Sequence, residues 1–206
     1  MALVRPRVNL IKLSFNVSRV PNALENIAKV STDTKWLWCI RSVGGSSFVL
    51  RHPSGFVFQV FKRGHINVTN VRKVKDIEIA ISIIYDVIGI PKIKEKEYRI
   101  DNIQATGILN LNHKGSSLKN ICDALSRMQV EFNIASLSYE NQRFPGAFIR
   151  YNDGSVRCTI IIFASRRFVL VGLNSLDLVN KIHDWLEHTI WHAAQQIPVN
   201  MSMSFS

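Results

Sequence analysis

The chain has 206 residues, 47% of them hydrophobic, and a formal net charge of +11, so it can bury a core without help from a metal or disulfide. No apolar run approaches the ~20 residues of a membrane span, the N-terminus has no leader-like apolar block, and Cys39, Cys122 and Cys158 fit neither a disulfide framework nor paired metal ligands. The expectation is a soluble intracellular protein whose excess of positive charge seeks a polyanion, through steering and counterion release.

One order of elements is written twice. VNLIKLSFNV at 8–17 alternates as a strand, and Pro21 opens a short helix with Leu24, Ile27 and Ala28 on one face. TKWLWCIR alternates around Trp36 and Trp38, and SFVLRH, GFVFQVF and HINVTNV follow as strands. A helix over about 74–89 closes this half, with Ile77, Ile81, Ile84 and Ile88 on one stripe and Pro91 beyond its end. The second half opens with the strand IDNIQATGILNL and the helix SSLKNICDALSRM, whose Leu118, Ile121, Cys122 and Leu125 share a side. VEFNIASLSYE, PGAFIRY, VRCTIIIF and RFVLVGL read as four strands, with an Asn-Asp-Gly turn at 152–154. The closing helix SLDLVNKIHDWLEHTIWHAA spaces Leu176, Val179, Ile182, Leu186 and Ile190 helically, and QQIPVNMSMSFS reads as a loose tail. Phe61 and Phe163 hold equivalent places.

The pattern predicts an α+β protein with two repeats, 8–92 and 98–195, each β-α-β-β-β-β-α, followed by a flexible tail at 196–206. Ten antiparallel strands would form one curved sheet with helices on the convex side. A sheet covered on one face only leaves the other free for binding.

In the second repeat, YENQRFPGAFIRY and TIIIFASRRFVLVGLNS resemble the core of the TATA-box-binding protein family, and the likeness extends over about residues 8–195. The resemblance implies a saddle with pseudo-twofold symmetry. Its concave sheet would lie in a widened minor groove, where phenylalanines wedge between base pairs. Carried over residue by residue, Phe144 and Phe163 match the wedge pair of the second repeat, and Phe61 matches one member of the first. Asn102, Gln104 and Thr106 fall on one face of the opening strand, Asn102 matching an asparagine that donates to base acceptors. Val169 and Val171 match the groove-facing pair of the last strand. Their first-repeat counterparts are Asn67 and Thr69, with Asn9, Ile11 and Leu13 on the opening strand. Arg150, Arg157 and Arg167, with Lys62, Arg63, Arg72, Lys73 and Arg166, border the strands as phosphate contacts.

Two departures qualify the resemblance. The first repeat has Gly44, Gly45 and Ser46 where its second wedge would stand, and Phe48 is out of phase, so the bend should be strong at the Phe144/Phe163 end and weak at the other. Glu140 is kept, but Gln142 and Arg143 replace an acidic and an apolar residue that the family offers to the B-type initiation factor. Such drift fits a factor of a large DNA virus or a distant microbial lineage, acting in the nucleus or at the site of viral transcription.

The implied partners are A/T-rich double-stranded DNA, initiation factors of the TFIIB and TFIIA type or divergent equivalents, and RNA polymerase; no cofactor is implied. A protein-interaction module with weakened DNA binding is the alternative, and a single-strand binder using Trp36 or Trp38 is a third. His188 and His192 stand at i, i+4, a spacing that can hold zinc, but the His-Glu-x-x-His order is lacking. No phosphate loop, nucleophile elbow or framed carboxylate pair appears, and no catalysis is expected.

Overall fold

The computed structural model describes residues 5–17, 38–41, 47–61, 63–89, 98–110 and 117–197. The expected helix after Pro21, Trp36, Gly44 to Ser46, Lys62 and the last residues of the tail lie outside the described residues. The chain divides into two compact units, one of residues 8–104 and the other of residues 1–7 with 105–206.

In the first unit the strands are β1 (Arg7–Asn16), β2 (Trp38–Arg41), β3 (Ser47–Arg51), β4 (Val57–Phe61) and β5 (His65–Val71), in the order β2-β3-β4-β5-β1. Their pairs are antiparallel. Alternation sets the core. Phe58, Val60, Ile66 and Val68 are buried, while Val57, Gln59, Asn67 and Thr69 between them are half-exposed. A 3-10 turn at Val74–Asp76 leads into α1 (Ile77–Ile88). Ile77, Ala80, Ile84, Tyr85 and Ile88 form its buried stripe, and Tyr85 stacks on Phe15 with centroids 5.8 Å apart. Ile81, expected in that stripe, is only half-buried. Gly89 ends the helix in the left-handed region at φ 71, returning its N–H to the Tyr85 carbonyl.

β6 (Tyr98–Ile108) runs through the point where the units divide. The second unit continues with α2 (Leu118–Arg127), β7 (Ile134–Ser138), β8 (Gly146–Asn152), β9 (Arg157–Phe163), β10 (Arg167–Leu173) and α3 (Leu176–Gln195), and its strands follow the order β6-β10-β9-β8-β7. Both helices begin at a serine whose side-chain oxygen accepts a backbone N–H, Ser117 from Asn120 and Ser175 from Leu178. The apolar stripe of α2 packs on α3 and β7, and α3 packs on β10, covering the face formed by Ile149, Ile160, Ile162, Phe168 and Leu170. Gly107 is obligatory in this packing, since a Cβ there would lie 2.5 Å from Cζ of buried Phe168.

Two expectations are corrected. The strand read from Val130 begins only at Ile134, because Ile134 N–H bonds the Gln129 carbonyl and Phe132 N–H the Met128 carbonyl, so the chain leaves α2 through turns that bury Phe132. Leu176, read as part of the α3 stripe, is 41% exposed, whereas His183 and Thr189 on α3 are buried.

Candidate nucleic-acid interface

The face of the second unit's sheet opposite its helices carries a phenylalanine cluster at one end. Glu140 starts a tight turn in which its carbonyl accepts from the N–H groups of Arg143 and Phe144, and Pro145 and Gly146 then lead into β8. Phe144 folds back over Gly146, where a Cβ would lie 2.7 Å from Phe144 Cε1, 3.1 Å from Ile161 Cγ2 and 3.2 Å from Phe163 Cε1. The absence of a side chain at residue 146 is what lets the rings meet. Phe144 stands 5.8 Å from Phe163 and 4.9 Å from Phe148, centroid to centroid. Phe144 and Phe163 are half-buried and Phe148 is 37% exposed, so the cluster lies outside the helix-covered core.

Phe148 was not among the sequence candidates. The run Ala147-Phe148-Ile149 is apolar in both phases of the strand, and the signal that would have placed Phe148 outward is Arg150, two residues on and on the same face. From the rings the same face continues through Ile161 and Thr159 on β9 and Val169 and Val171 on β10, directly paired as Val169 with Ile161 and Val171 with Thr159. Arg150 pairs with Thr159 and Asn152 with Arg157. Arg150, Arg157 and Arg167 are exposed on this face, and the first two border a depression of about 420 Å³ with Thr159, Val171 and Ala135. On β6, half-exposed Asn102, Gln104 and Thr106 alternate with buried Ile103 and Ala105. An apolar strip ending in stacked rings and edged by guanidiniums can engage base edges along its length and phosphates at its rim.

The far turn of the β8–β9 hairpin is held by Asp153. Its carboxylate accepts from the N–H groups of Val156 at 2.7 Å and Ser155 at 3.0 Å and from the Tyr151 hydroxyl at 2.8 Å, and it pairs with Lys181 on α3 at 3.3 Å. These donors hold the carboxyl below the usual carboxylate range, with the Val156 bond foremost. Burial pushes the neighbouring Cys158 thiol up to about 12 and the Cys122 thiol to about 11, which makes both inert.

The first unit presents a different rim. Phe61 is half-buried at the end of β4, and the ring beside it is His65, 5.7 Å away. Phe48 pairs with buried Val60 across β3 and β4 and so lies on the core side. Gln59, Asn67 and Thr69 lie on the half-exposed side, paired as Gln59 with Asn67 and Val57 with Thr69. One expectation fails on β1. Ile11 and Leu13 have no exposed surface, because Ile11 pairs with Val71 and Leu13 with Val68, both core residues, around a register shift. Asn70, in the left-handed region at φ 64, is the extra residue of that bulge. The half-exposed side of β1 is instead Leu10 and Lys12, and Ser14 lies opposite Asn67. Asn9 is half-buried one turn of the pleat from Ile11.

No protein-family model matches the chain. The TATA-box-binding protein of Methanocaldococcus jannaschii is 29% identical over 119 residues, covering 56% of this chain and 57% of that protein. TATA-box-binding protein 2 of Haloferax volcanii is 27% identical over 123 residues, covering 57% and 59%. The chain thus matches less than two thirds of the length of these relatives. Among solved structures, Methanococcus jannaschii TBP superposes with a TM-score of 0.70 at 21% identity, covering 92% of this chain and 99% of that one. The chain is a divergent TBP-like protein.

In the TBP-like protein the altered turn before Pro145 also has a defined geometry. Arg143 reaches back to Glu140 at 3.1 Å, with both side chains largely exposed, so the acidic group kept at residue 140 is already paired within the chain. On α3, His188 and His192 place their Nε2 atoms 3.1 Å apart and pack against Phe132; among the described residues no third ligating side chain joins them. No helix among the described residues is long and apolar enough to cross a membrane.

Proposed function

We propose that the TBP-like protein is a non-enzymatic transcription initiation factor that binds A/T-rich duplex DNA through the minor groove and bends it. Its two units would join as a pseudo-twofold saddle with one curved sheet of ten strands. Phe144 and Phe163 enter a base step at the second unit's end, Phe148 supports them from behind, and Val169, Val171, Asn102, Gln104 and Thr106 line the opened groove. Arg150, Arg157 and Arg167 meet the phosphates. Unstacking a step costs about a few kcal/mol, offset by the sheet surface that the bent groove then contacts. Flexible TA steps deform at least cost, which favours A/T-rich sites with few base-specific bonds.

The observation that carries this reading is the three-ring cluster on the helix-free face, reached by a turn and a glycine that leave the rings outside the core. Circular-permutation mobility tests it. The wild-type chain should bend an A/T-rich duplex and be displaced by a minor-groove ligand, and Phe144→Ala with Phe163→Ala should remove most of the bend. Unaltered bending in the double variant would refute it. A second reading, a TBP-fold interaction module with weak DNA affinity, is favoured by one feature, the core-side placement of Phe48, which leaves Phe61 without a second phenyl ring among the described residues. Failure to bind duplex at low salt, where the electrostatic contribution is greatest, would select it. On either reading partners of the TFIIB and TFIIA type dock on a surface whose Glu140 is neutralised by Arg143, so their contacting groups differ from those suited to a free carboxylate.

A further inference from the structure

On the half-exposed side of the first unit, His65 sits between two amides. It opens β5 directly after Gly64, where the second unit's strand β10 opens with Arg167. Its Nδ1 lies 2.9 Å from Asn16 Oδ1 and its Nε2 lies 2.9 Å from Asn67 Oδ1, with the Phe61 ring beside it. Asn67 itself lies between Ser14 of β1 and Gln59 of β4.

A carboxamide carries its acceptor and its donors on opposite sides. Whichever side is engaged inward therefore decides what the other side offers outward. With its proton on Nε2, His65 donates to the Asn67 oxygen, which leaves the Asn67 NH2 turned away from the imidazole. The neutral ring with its proton on Nε2 keeps the same bond to Asn67 and accepts a turned-over amide from Asn16, which is exposed at the end of β1.

The minor groove offers acceptors at A·T pairs, and a G·C pair adds the guanine amino donor. An amide held with its nitrogen outward complements the first and opposes the second. We infer that His65 is a positioning residue that locks Asn67 as a hydrogen-bond donor, so that the first unit rejects base pairs bearing a minor-groove amino group. This rests on the minor-groove reading above.

The test uses the full chain and an A/T-rich duplex in which adenines are replaced one at a time by 2,6-diaminopurine, which adds an amino group to the minor groove alone. At the position facing Asn67 the wild type should lose about tenfold in affinity, the scale of one good base contact. His65→Leu, which cannot donate, lets the Asn67 amide turn and should cut that penalty to about twofold at that position only. His65→Gln, whose side-chain N–H can still donate to Asn67, should retain it. A penalty unchanged in His65→Leu, or lost equally in His65→Gln, would overturn the inference while leaving minor-groove binding intact. A wild-type chain that no minor-groove ligand displaces would remove the functional reading and the inference with it.

Discussion

The hairpins that carry Phe163 and Phe61 share their antiparallel register but not what stands beside the ring. Gly146 pairs with Phe163 in one and Ser47 with Phe61 in the other. In the second unit the chain before the strand returns a phenylalanine over its glycine, and Phe148 adds a third ring. In the first, the neighbour is an imidazole tied to two asparagines, and Gln59, Asn67 and Ser14 make the adjoining surface polar. The same strand architecture therefore yields one rim suited to insertion and one suited to hydrogen bonding. An apolar ring is indifferent to which acceptors it passes, whereas a fixed amide is not. The second unit should thus supply deformation and the first discrimination.

The largest effect that would break this comparison is loss of the second rim. Phe144→Ala combined with Phe163→Ala should lower affinity for an A/T-rich duplex about 100-fold, at roughly 1–3 kcal/mol per ring stacked on a base, measured by fluorescence anisotropy. Phe61→Ala should cost about threefold in the same assay; an equal loss from both ends would abolish the asymmetry. Between these stands Gly146→Val. Its Cβ would press on Phe144, Ile161 and Phe163, and the half-exposed Phe144 ring is the neighbour freest to move. The bend should fall about as far as in Phe144→Ala alone, while the melting temperature stays near that of the wild type.

What the sequence revealed follows from where its alternation is clean. β5 and β10 have the predicted bounds, His65–Val71 and Arg167–Leu173, because buried and more exposed positions alternate over most of each strand, from His65 to Thr69 and from Arg167 to Val171. Asn102, Gln104 and Thr106 are recognisable for the same reason, set between buried Ile103 and Ala105. β1 carries Leu10, Ile11, Leu13 and Phe15, apolar in both phases, and the Asn70 bulge shifts its partner. Period two alone cannot then say which phase is outside. Phe148 was hidden likewise among Ala147 and Ile149. Asn67 is a period-two neighbour of His65 on the same strand, but Asn16 reaches the imidazole only through the β1–β5 pairing, which no local pattern shows.

The smallest effects sharpen the comparison at the far turns of the two hairpins. In the second unit Asp153 has a folded pKa below its unfolded value, so its stabilisation is fully present above the usual carboxylate range and is lost as pH falls through the folded value. In the first unit the turn after β3 is closed by His52, whose Nδ1 accepts from the Ser54 N–H at 3.2 Å, and burial lowers its pKa from 6.5. The sign is the same, because the folded state again binds the proton less well, but the window is higher. That turn is strongest above pH ~6.5 and weakens as pH falls through the depressed imidazole value. NMR titration of the Ser54 amide should therefore show a transition below pH ~6.5 that His52→Asn removes, while the Ser155 and Val156 amides hold until the carboxylate range is passed. If both turns respond over one shared pH range, their closing groups are not the ones assigned here, and the acid sensitivity belongs to a global transition of the fold.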